Sequence, residues 1–76
     1  MSPKLPVINS KQLLRALKRG GFVIDRQEGS HISLIHPDRP ELTVTVPFHN
    51  RNLKKGTLHS ILNQAGLTVE KLKRLL

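Results

Sequence analysis

The stretch FVIDRQEGSHISLIHPDRPELTVTV (residues 22–46) contains three short segments with the two-residue period of β-strands. Phe22–Glu28 and His31–His36 are separated by the short turn Gly29–Ser30. A proline-bounded loop, PDRP, leads to the third segment, Leu42–Val46, in which leucine and valine alternate with threonine. These short connections predict a three-stranded antiparallel meander with one apolar face that needs a covering layer.

The two faces of the first two strands follow from the same period. Strict alternation in the first strand predicts that Phe22, Ile24 and Arg26 share one face. In the second strand, alternation places His31 and Ser33 on the polar face, away from the apolar residues. We therefore expect His31 to project from the uncovered side of the sheet.

Amphipathic helices are predicted before and after the strands in the sequence. Before them, Asn9 or Ser10 is expected to be the N-cap, and with Asn9 as the cap Gln12 stands at capping-box spacing. The pair Gly20–Gly21 is expected to end this helix, because glycine adopts the left-handed conformation at little cost. After the strands, the apolar stripe from Leu53 to Ala65 predicts a second helix, and Thr68 is the expected N-cap of a short third helix.

The element order α-β-β-β-α(-α) predicts an α+β, two-layer fold in which helices cover one face of a three-stranded antiparallel sheet. The same order is found in double-stranded-RNA-binding domains. Residues 1–8, with two prolines and no periodicity, are expected to be an extended N-terminal lead-in. Residues 9–76 are expected to form one domain.

Composition narrows the classes of function. The chain has 76 residues, 13 Lys+Arg against 5 Asp+Glu, and a formal net charge of +8, which favours a polyanionic partner such as nucleic acid. The sequence contains no cysteine, which excludes a disulfide framework, a thiol nucleophile and a cysteine-based zinc site. Since the sequence shows neither a membrane-length apolar run nor a signal-peptide pattern, we expect a cytoplasmic protein without a membrane partner.

The sequence also limits how RNA could be bound and cleaved. Both aromatic residues, Phe22 and Phe48, stand where core residues are expected, so recognition should use the RNA backbone and shape rather than base stacking. The glycines form no phosphate-binding motif, and the carboxylates are too few and scattered for a metal-dependent nuclease. We therefore expect no metal site and no small-molecule cofactor.

Four histidines are the remaining candidates for chemistry. His31 follows the small Gly29–Ser30 turn, and an accessible imidazole suits general acid–base cleavage of RNA, in which the 2′-OH attacks the adjacent phosphate. An exposed strand histidine without a chemical role is the alternative interpretation. For His49 the alternative is a loop histidine bonded to local backbone, while His36 and His59 are expected to serve turn structure and a helix surface.

Two stretches carry a resemblance to a known family. They are KQLLRALKRGGFVIDRQEGSHISL (Lys11–Leu34) and VPFHNRNLKKGTLHSILNQAGL (Val46–Leu67), and their most specific parts are G-S-H and P-x-H…L-x-x-G-T-L-x-x-I-L-x-x-A-G-L. The chain resembles the HicA toxin family, small endoribonucleases (mRNA interferases) of toxin–antitoxin pairs. The resemblance implies a double-stranded-RNA-binding-like fold, cleavage of mRNA and a HicB-type antitoxin as partner.

The resemblance also implies site residues. The family's catalytic histidine in the G-S-H motif corresponds to His31, and the second motif histidine corresponds to His49. The chain departs from the family at Ile32, where members often carry histidine or a basic residue. Proton transfer would then rest on His31 alone or be assisted by an arginine, a lysine or His49.

The resulting hypothesis is a metal-independent endoribonuclease toxin with His31 as general acid or base. Gly29 and Ser30 would shape the approach to this residue, and His49 is a possible catalytic support. The residues expected to bind RNA phosphates are Lys11, Arg15, Lys18, Arg19, Arg26, Lys54 and Lys55. The alternatives are a non-catalytic double-stranded-RNA-binding module and a protein-interaction module whose basic face docks an acidic partner.

Overall fold

The described part of the chain contains three helices and a three-stranded antiparallel sheet in the predicted order. The computed structural model describes residues 4–76. The elements are α1 (Ser10–Arg19), β1 (Val23–Glu28), β2 (His31–Ile35), β3 (Thr43–Pro47), α2 (Lys55–Ala65) and α3 (Val69–Leu75). The strand order β1-β2-β3, antiparallel throughout, confirms the α+β prediction. None of the helices within residues 4–76 has the length and hydrophobicity needed to cross a membrane.

The predicted lead-in is attached to the segment that precedes α2. Of its eight residues, 1–3 lie outside the described part of the chain, and 4–8 contain no helix or strand. Ile8 is buried and its carbonyl accepts a hydrogen bond from the Leu53 N–H at 2.8 Å. Asn9 forms an isolated antiparallel bridge with Asn52. The start of α1 is therefore held beside the start of α2.

Helix α1 has the capping box predicted for its first turn. The Asn9 side chain accepts from the Gln12 N–H, and the Gln12 side chain accepts from the Asn9 N–H, both at 2.9 Å. At the other end, Gly21 is left-handed with φ 99°, whereas Gly20 has φ −80°. The prediction of a left-handed conformation is therefore wrong for Gly20, because its N–H still bonds to the Ala16 carbonyl at 3.0 Å.

The sheet has one face covered by helices and one open face. The covered face carries buried side chains of the central and third strands, namely Ile32, Leu34, Val44 and Val46. The other face, called the outer face below, carries the opposite residues of the same strands, namely His31, Ser33, Ile35, Thr43 and Thr45, most of them exposed. The helices therefore lie on one side of the sheet, as predicted.

Strand β1 departs from strict alternation. Ile24 pairs with Leu34 on the covered side, but the next pair in the ladder joins Arg26 to Ser33, so one extra residue lies between them. A β-bulge of this kind changes the face on which the following side chains project. Arg26 therefore lies on the outer face, and the prediction that it shares a face with Ile24 is wrong. All residues of β1, one of the two edge strands, are exposed.

The core lies between the covered face and the helices. Its fully buried large side chains are Leu13, Leu17, Leu34, Val44, Val46, Leu58, Ile61 and Leu72. Phe22 is buried and Phe48 is half-buried against the same cluster. Both rings thus belong to the core, as predicted.

The third helix begins at its predicted cap. Gly66 ends α2 in the left-handed conformation, with φ 67°. The Thr68 hydroxyl then accepts from the Lys71 N–H at 3.1 Å. Leu72 is fully buried, and this anchors α3 to the core.

His36 connects the end of β2 to the end of α1. Its Nδ1 accepts from the Asp38 N–H at 3.2 Å, so in the neutral ring Nε2 carries the proton. Nε2 lies 3.2 Å from the Gly20 carbonyl oxygen, to which it donates. The ring also stands edge-on to Phe22, with 5.0 Å between ring centroids. His36 therefore serves local structure, as predicted.

This contact makes Gly21 a sensitive position. A Cβ atom added at Gly21 would lie 2.7 Å from the His36 Nε2, at a backbone φ of 99°. We expect Gly21→Ala to destabilise the fold by about 1–3 kcal/mol, measured by urea unfolding. Gly56→Ala is the control, because a Cβ there meets nothing within 4 Å and should be neutral or stabilising by up to about 1 kcal/mol. Wild-type stability of Gly21→Ala would contradict the close approach of His36.

Candidate active site

The turn between β1 and β2 presents His31 to solvent. Gly29 has φ 57°, while Ser30 is not left-handed, which is the pattern expected for a type II′ hairpin turn. A Cβ at Gly29 would meet nothing within 4 Å, so the turn is open on that side. His31, the first residue of β2, is exposed, in agreement with the accessibility expected for it. Its catalytic role stays a prediction.

A row of side chains crosses the outer face at His31. In the ladder His31 is flanked by Glu28 of β1 and Pro47 of β3, so the three residues project on the same face. Directly opposed residues have Cβ atoms about 4.5–5.5 Å apart. Glu28 was not among the residues predicted for the site, although the two-residue turn already implies that residues 28 and 31 pair. A carboxylate therefore stands beside the candidate imidazole.

The β1 bulge brings Arg26 to the same face. Arg26 Nε lies 3.3 Å from Glu28 Oε1, and both side chains are more than half exposed. An exposed pair of this kind contributes little to stability. Arg26, one of the cations expected to bind phosphates, thus lies on the His31 face. Its side chain is already paired with the Glu28 carboxylate.

The segment Pro47–His49 lies against the turn that carries His31. The Phe48 N–H donates to the Ser30 carbonyl at 2.6 Å. On its other side, the Ser10 hydroxyl donates to the Pro47 carbonyl at 2.6 Å and accepts from the His49 N–H at 3.3 Å. The G-S-H turn, the P-F-H segment and the start of α1 therefore meet at one corner of the molecule.

His49 is exposed and its ring is oriented by local backbone. Nδ1 accepts from the Arg51 N–H at 3.2 Å, so in the neutral ring the proton is on Nε2. The local backbone bond considered as the alternative for His49 is therefore present. It leaves Nε2 available for a ligand.

A cleft of about 470 Å³ opens beside this segment, at the start of α2. Its lining residues are Pro47, His49, Arg51, Asn52, Lys54 and Thr57. Two of them, Arg51 and Lys54, are exposed cations, and Lys55 follows as the first residue of α2. Arg51 was missed by the sequence analysis, although it lies two residues from a candidate histidine. The cleft combines imidazole and positive charge, which suits an anionic ligand.

The cations of α1 form a separate surface. Lys11, Arg15 and Lys18 are exposed on the side of α1 that points away from the sheet, and no acidic residue occurs in this helix. His31, by contrast, projects from the outer face of the sheet. Arg19 is engaged elsewhere, because its Nη1 donates to the Leu75 carbonyl at 2.8 Å at the end of α3. We call Lys11, Arg15 and Lys18 the α1 basic surface.

His59 is exposed on α2, outside the cleft residues. Within residues 4–76, no three histidine and carboxylate side chains are grouped closely enough to bind one metal ion. The acid–base residues on the segments that meet at the corner are His31, Glu28 and His49.

Comparison with known proteins identifies a family for this chain. A search of curated proteins returns no match. A family model described as "HicA toxin of bacterial toxin-antitoxin" matches residues 10–67. The match begins at the first residue of α1 and includes the G-S-H turn, the Pro47–His49 segment and all of α2. Since it covers well over half of the 76 residues, the chain belongs to the HicA toxin family of bacterial toxin–antitoxin systems.

Proposed function

We propose that the protein is a metal-independent endoribonuclease that cleaves mRNA, with His31 as the general acid or base. The observation that carries the proposal is the meeting of an exposed His31 turn with the segment bearing His49, at the edge of a cationic cleft. An open corner of this kind admits a polymer, which an enclosed cavity would not. The toxin family supports the proposal, because a toxin needs an essential cellular target.

The proposed reaction uses the RNA as its own nucleophile. The 2′-oxygen forms a bond to the adjacent phosphorus, and the bond from phosphorus to the 5′-oxygen of the next nucleotide breaks. A base takes the 2′-OH proton, and an acid gives a proton to the leaving 5′-oxygen. The products are a 2′,3′-cyclic phosphate and a 5′-hydroxyl. We assign one of these two proton transfers to His31 and the other to water. Hydrogen-bond donation to a phosphate oxygen is assigned to His49.

RNA binding is proposed to depend on phosphates. Arg51, Lys54 and Lys55 would hold the backbone at the cleft, and the α1 basic surface would add sequence-independent affinity. Base stacking is unsupported, since Phe22 and Phe48 belong to the core. Gly29 and Ser30 would shape the approach of the ribose to His31.

The direct test is incubation of purified protein with RNA in EDTA. We expect cleavage to continue and the new ends to carry 2′,3′-cyclic phosphate and 5′-hydroxyl groups. A substrate with a single 2′-deoxynucleotide at the cleavage position should resist scission there. RNA binding without any strand scission would overturn the nuclease proposal and select the non-catalytic RNA-binding module.

The α1 basic surface leads to a prediction for salt dependence. Each phosphate contact contributes about 0.7–0.9 to the slope of log K against log salt concentration. We expect Arg15→Gln with Lys18→Gln to lower this slope by about 1–2, measured by anisotropy with 2′-O-methyl RNA. The matched pair Lys71→Gln with Lys73→Gln on α3 should leave it unchanged. An equal reduction in both variants would show that net charge, rather than the α1 surface, sets RNA affinity.

Toxin family membership implies an antitoxin partner. We propose that this partner is of the HicB type and that it covers His31, since masking one exposed imidazole would stop the reaction. An acidic surface on the partner would complement the net charge of +8. A complex in which His31 stays accessible and RNA is still cleaved would contradict this mode of inhibition.

A further inference from the structure

Ser10 is the buried polar side chain within residues 4–76, with none of its surface exposed. Its hydroxyl bonds to residues far along the chain, donating to the Pro47 carbonyl and accepting from the His49 N–H. A buried hydroxyl is retained at a cost unless it is hydrogen-bonded. The two hydrogen bonds of the Ser10 hydroxyl therefore offset the cost of burying it and attach the Pro47–His49 segment to α1.

Helix α1 does not need the Ser10 hydroxyl for capping. Asn9 and Gln12 already form the reciprocal capping box at this end. Both Ser10 hydrogen bonds instead go to the segment that leaves β3, and they span the backbone from Pro47 to His49. The Ser10 hydroxyl thus holds the Pro47–His49 segment, while Asn9 and Gln12 cap the helix.

The same segment is held from its other side by the turn that carries His31. Phe48, between the two residues bonded to Ser10, donates its N–H to the Ser30 carbonyl at 2.6 Å. Pro47 is also the ladder partner of His31. Fixing the backbone at Pro47 and His49 therefore fixes the position of the His49 backbone relative to His31.

The His49 ring depends on this backbone. Its Nδ1 accepts from the Arg51 N–H, which leaves Nε2 free for a ligand. His49 is one of the residues that line the cleft. If the loop shifted, the His49 ring and the Arg51 N–H would move together. The ring would keep its tautomer but change its position relative to His31 on β2.

We propose that Ser10 is a positioning residue that acts through His49. The geometry assigns its hydroxyl the task of holding the Pro47–His49 backbone so that the Nε2–H of His49 faces a bound phosphodiester beside His31. The proposal rests on the proposed function, because it deepens the account of the same site. A shift of about 1 Å in such a group can lower a rate by up to about 100-fold.

The test is a double-mutant cycle between Ser10 and His49, with RNA cleavage as the first readout. We expect Ser10→Ala to lower kcat by about tenfold or more with KM changed less than about threefold, and Ser10→Thr, which keeps a hydroxyl, to restore most of kcat. In the His49→Ala background, adding Ser10→Ala should cause no further loss. A Ser10 effect of the same size in both backgrounds would overturn the proposal, since a structural role alone would persist.

Two additions keep the test decisive. If Ser10→Ala fails to fold, Ser10→Cys replaces it in the cycle, because a thiol of similar size is a much weaker hydrogen-bonding group. The exposed Ser60→Ala on α2 serves as the control and should match wild type.

A second readout is independent of catalysis. In nitrogen-15 spectra of the wild type, His49 should show the Nε2–H tautomer and a slowly exchanging backbone N–H. In the Ser10 variant the slow exchange should be lost, whereas the tautomer should persist, because the local Arg51 N–H sets it. Unchanged spectra would overturn the positioning role. If the Ser10 variant loses the slowly exchanging His49 N–H while the wild type cleaves no RNA, the proposed function alone has failed.

Discussion

Replacing His31 by alanine is expected to lower the rate of RNA cleavage by about 100-fold or more while leaving the fold intact. A positioned acid–base group contributes about 10²–10⁴-fold to proton transfer in the transition state. Stability should not change, because His31 is an exposed residue at the start of β2 and lies outside the core. The measurement is the initial rate of cleavage of a labelled RNA, together with the thermal unfolding midpoint of each protein.

His59→Ala is the matched control for this prediction. His59 is also an exposed histidine, but it lies on α2 outside the cleft. Its removal should leave the rate within about twofold of the wild type, because it has no part in the proposed proton transfer. Undiminished cleavage by His31→Ala would remove His31 from the mechanism, and equal losses in both variants would indicate a general effect of removing imidazole. Arrested growth on expression of wild type, but not of His31→Ala, would connect the same residue to toxicity.

Leu34→Ala is expected to destabilise the protein by about 2–5 kcal/mol, which is the range for a leucine removed from a packed core. Leu34 is fully buried on the central strand and its ladder partner Val44 is fully buried as well. A chain of this length has a total stability of only about 4–11 kcal/mol. We therefore expect a large shift of the urea midpoint, or a protein that is mostly unfolded at 37 °C.

The neighbouring Ile35→Ala provides the comparison. Ile35 is the next residue of β2, but its side chain is on the outer face and is 36% exposed. We expect it to cost less than about 1 kcal/mol, since little apolar surface is lost from the interior. Similar costs for the two substitutions would mean that the sheet is covered on both faces, contrary to the fold described here.

Local patterns were sufficient to predict most of the fold. The Asn9–Gln12 capping box and the Thr68 cap are side-chain interactions over three residues, so their spacing alone identifies them. The alternation of leucine, valine and threonine in residues 42–46 likewise identifies β3, whose bounds differ from the prediction by one residue at each end. These features depend on neighbours in the chain.

The bulge in β1 could not be predicted in this way. Nothing in the residues VIDRQE marks the extra residue, and it reversed the face assigned to Arg26. The bulge exists in relation to the partner strand, so a period counted along one strand does not reveal it.

The assembly of the site required long-range contacts. The sequence identified His31 and His49 as candidates, but their proximity depends on bonds from Ser30 and Ser10 to the segment after β3. The bonds of Ser10 join residues 37 and 39 positions apart. Similarly, the sequence predicts that Arg19 binds RNA, whereas in the structure its side chain donates to the Leu75 carbonyl. Such pairings arise from tertiary packing, which residue spacing does not encode.

The irregular β1 also bears on how this small protein behaves at high concentration. A straight, apolar strand at the border of a sheet offers its free amides and carbonyls as a template on which further chains can polymerise. In β1 the ladder is interrupted, and three of its six residues, Asp25, Arg26 and Glu28, are charged. A local increase in twist and ionic side chains are both known protections against such growth. The interruption that brings Arg26 to the face of the candidate imidazole therefore also makes the open border of the sheet a poor seed for fibrils.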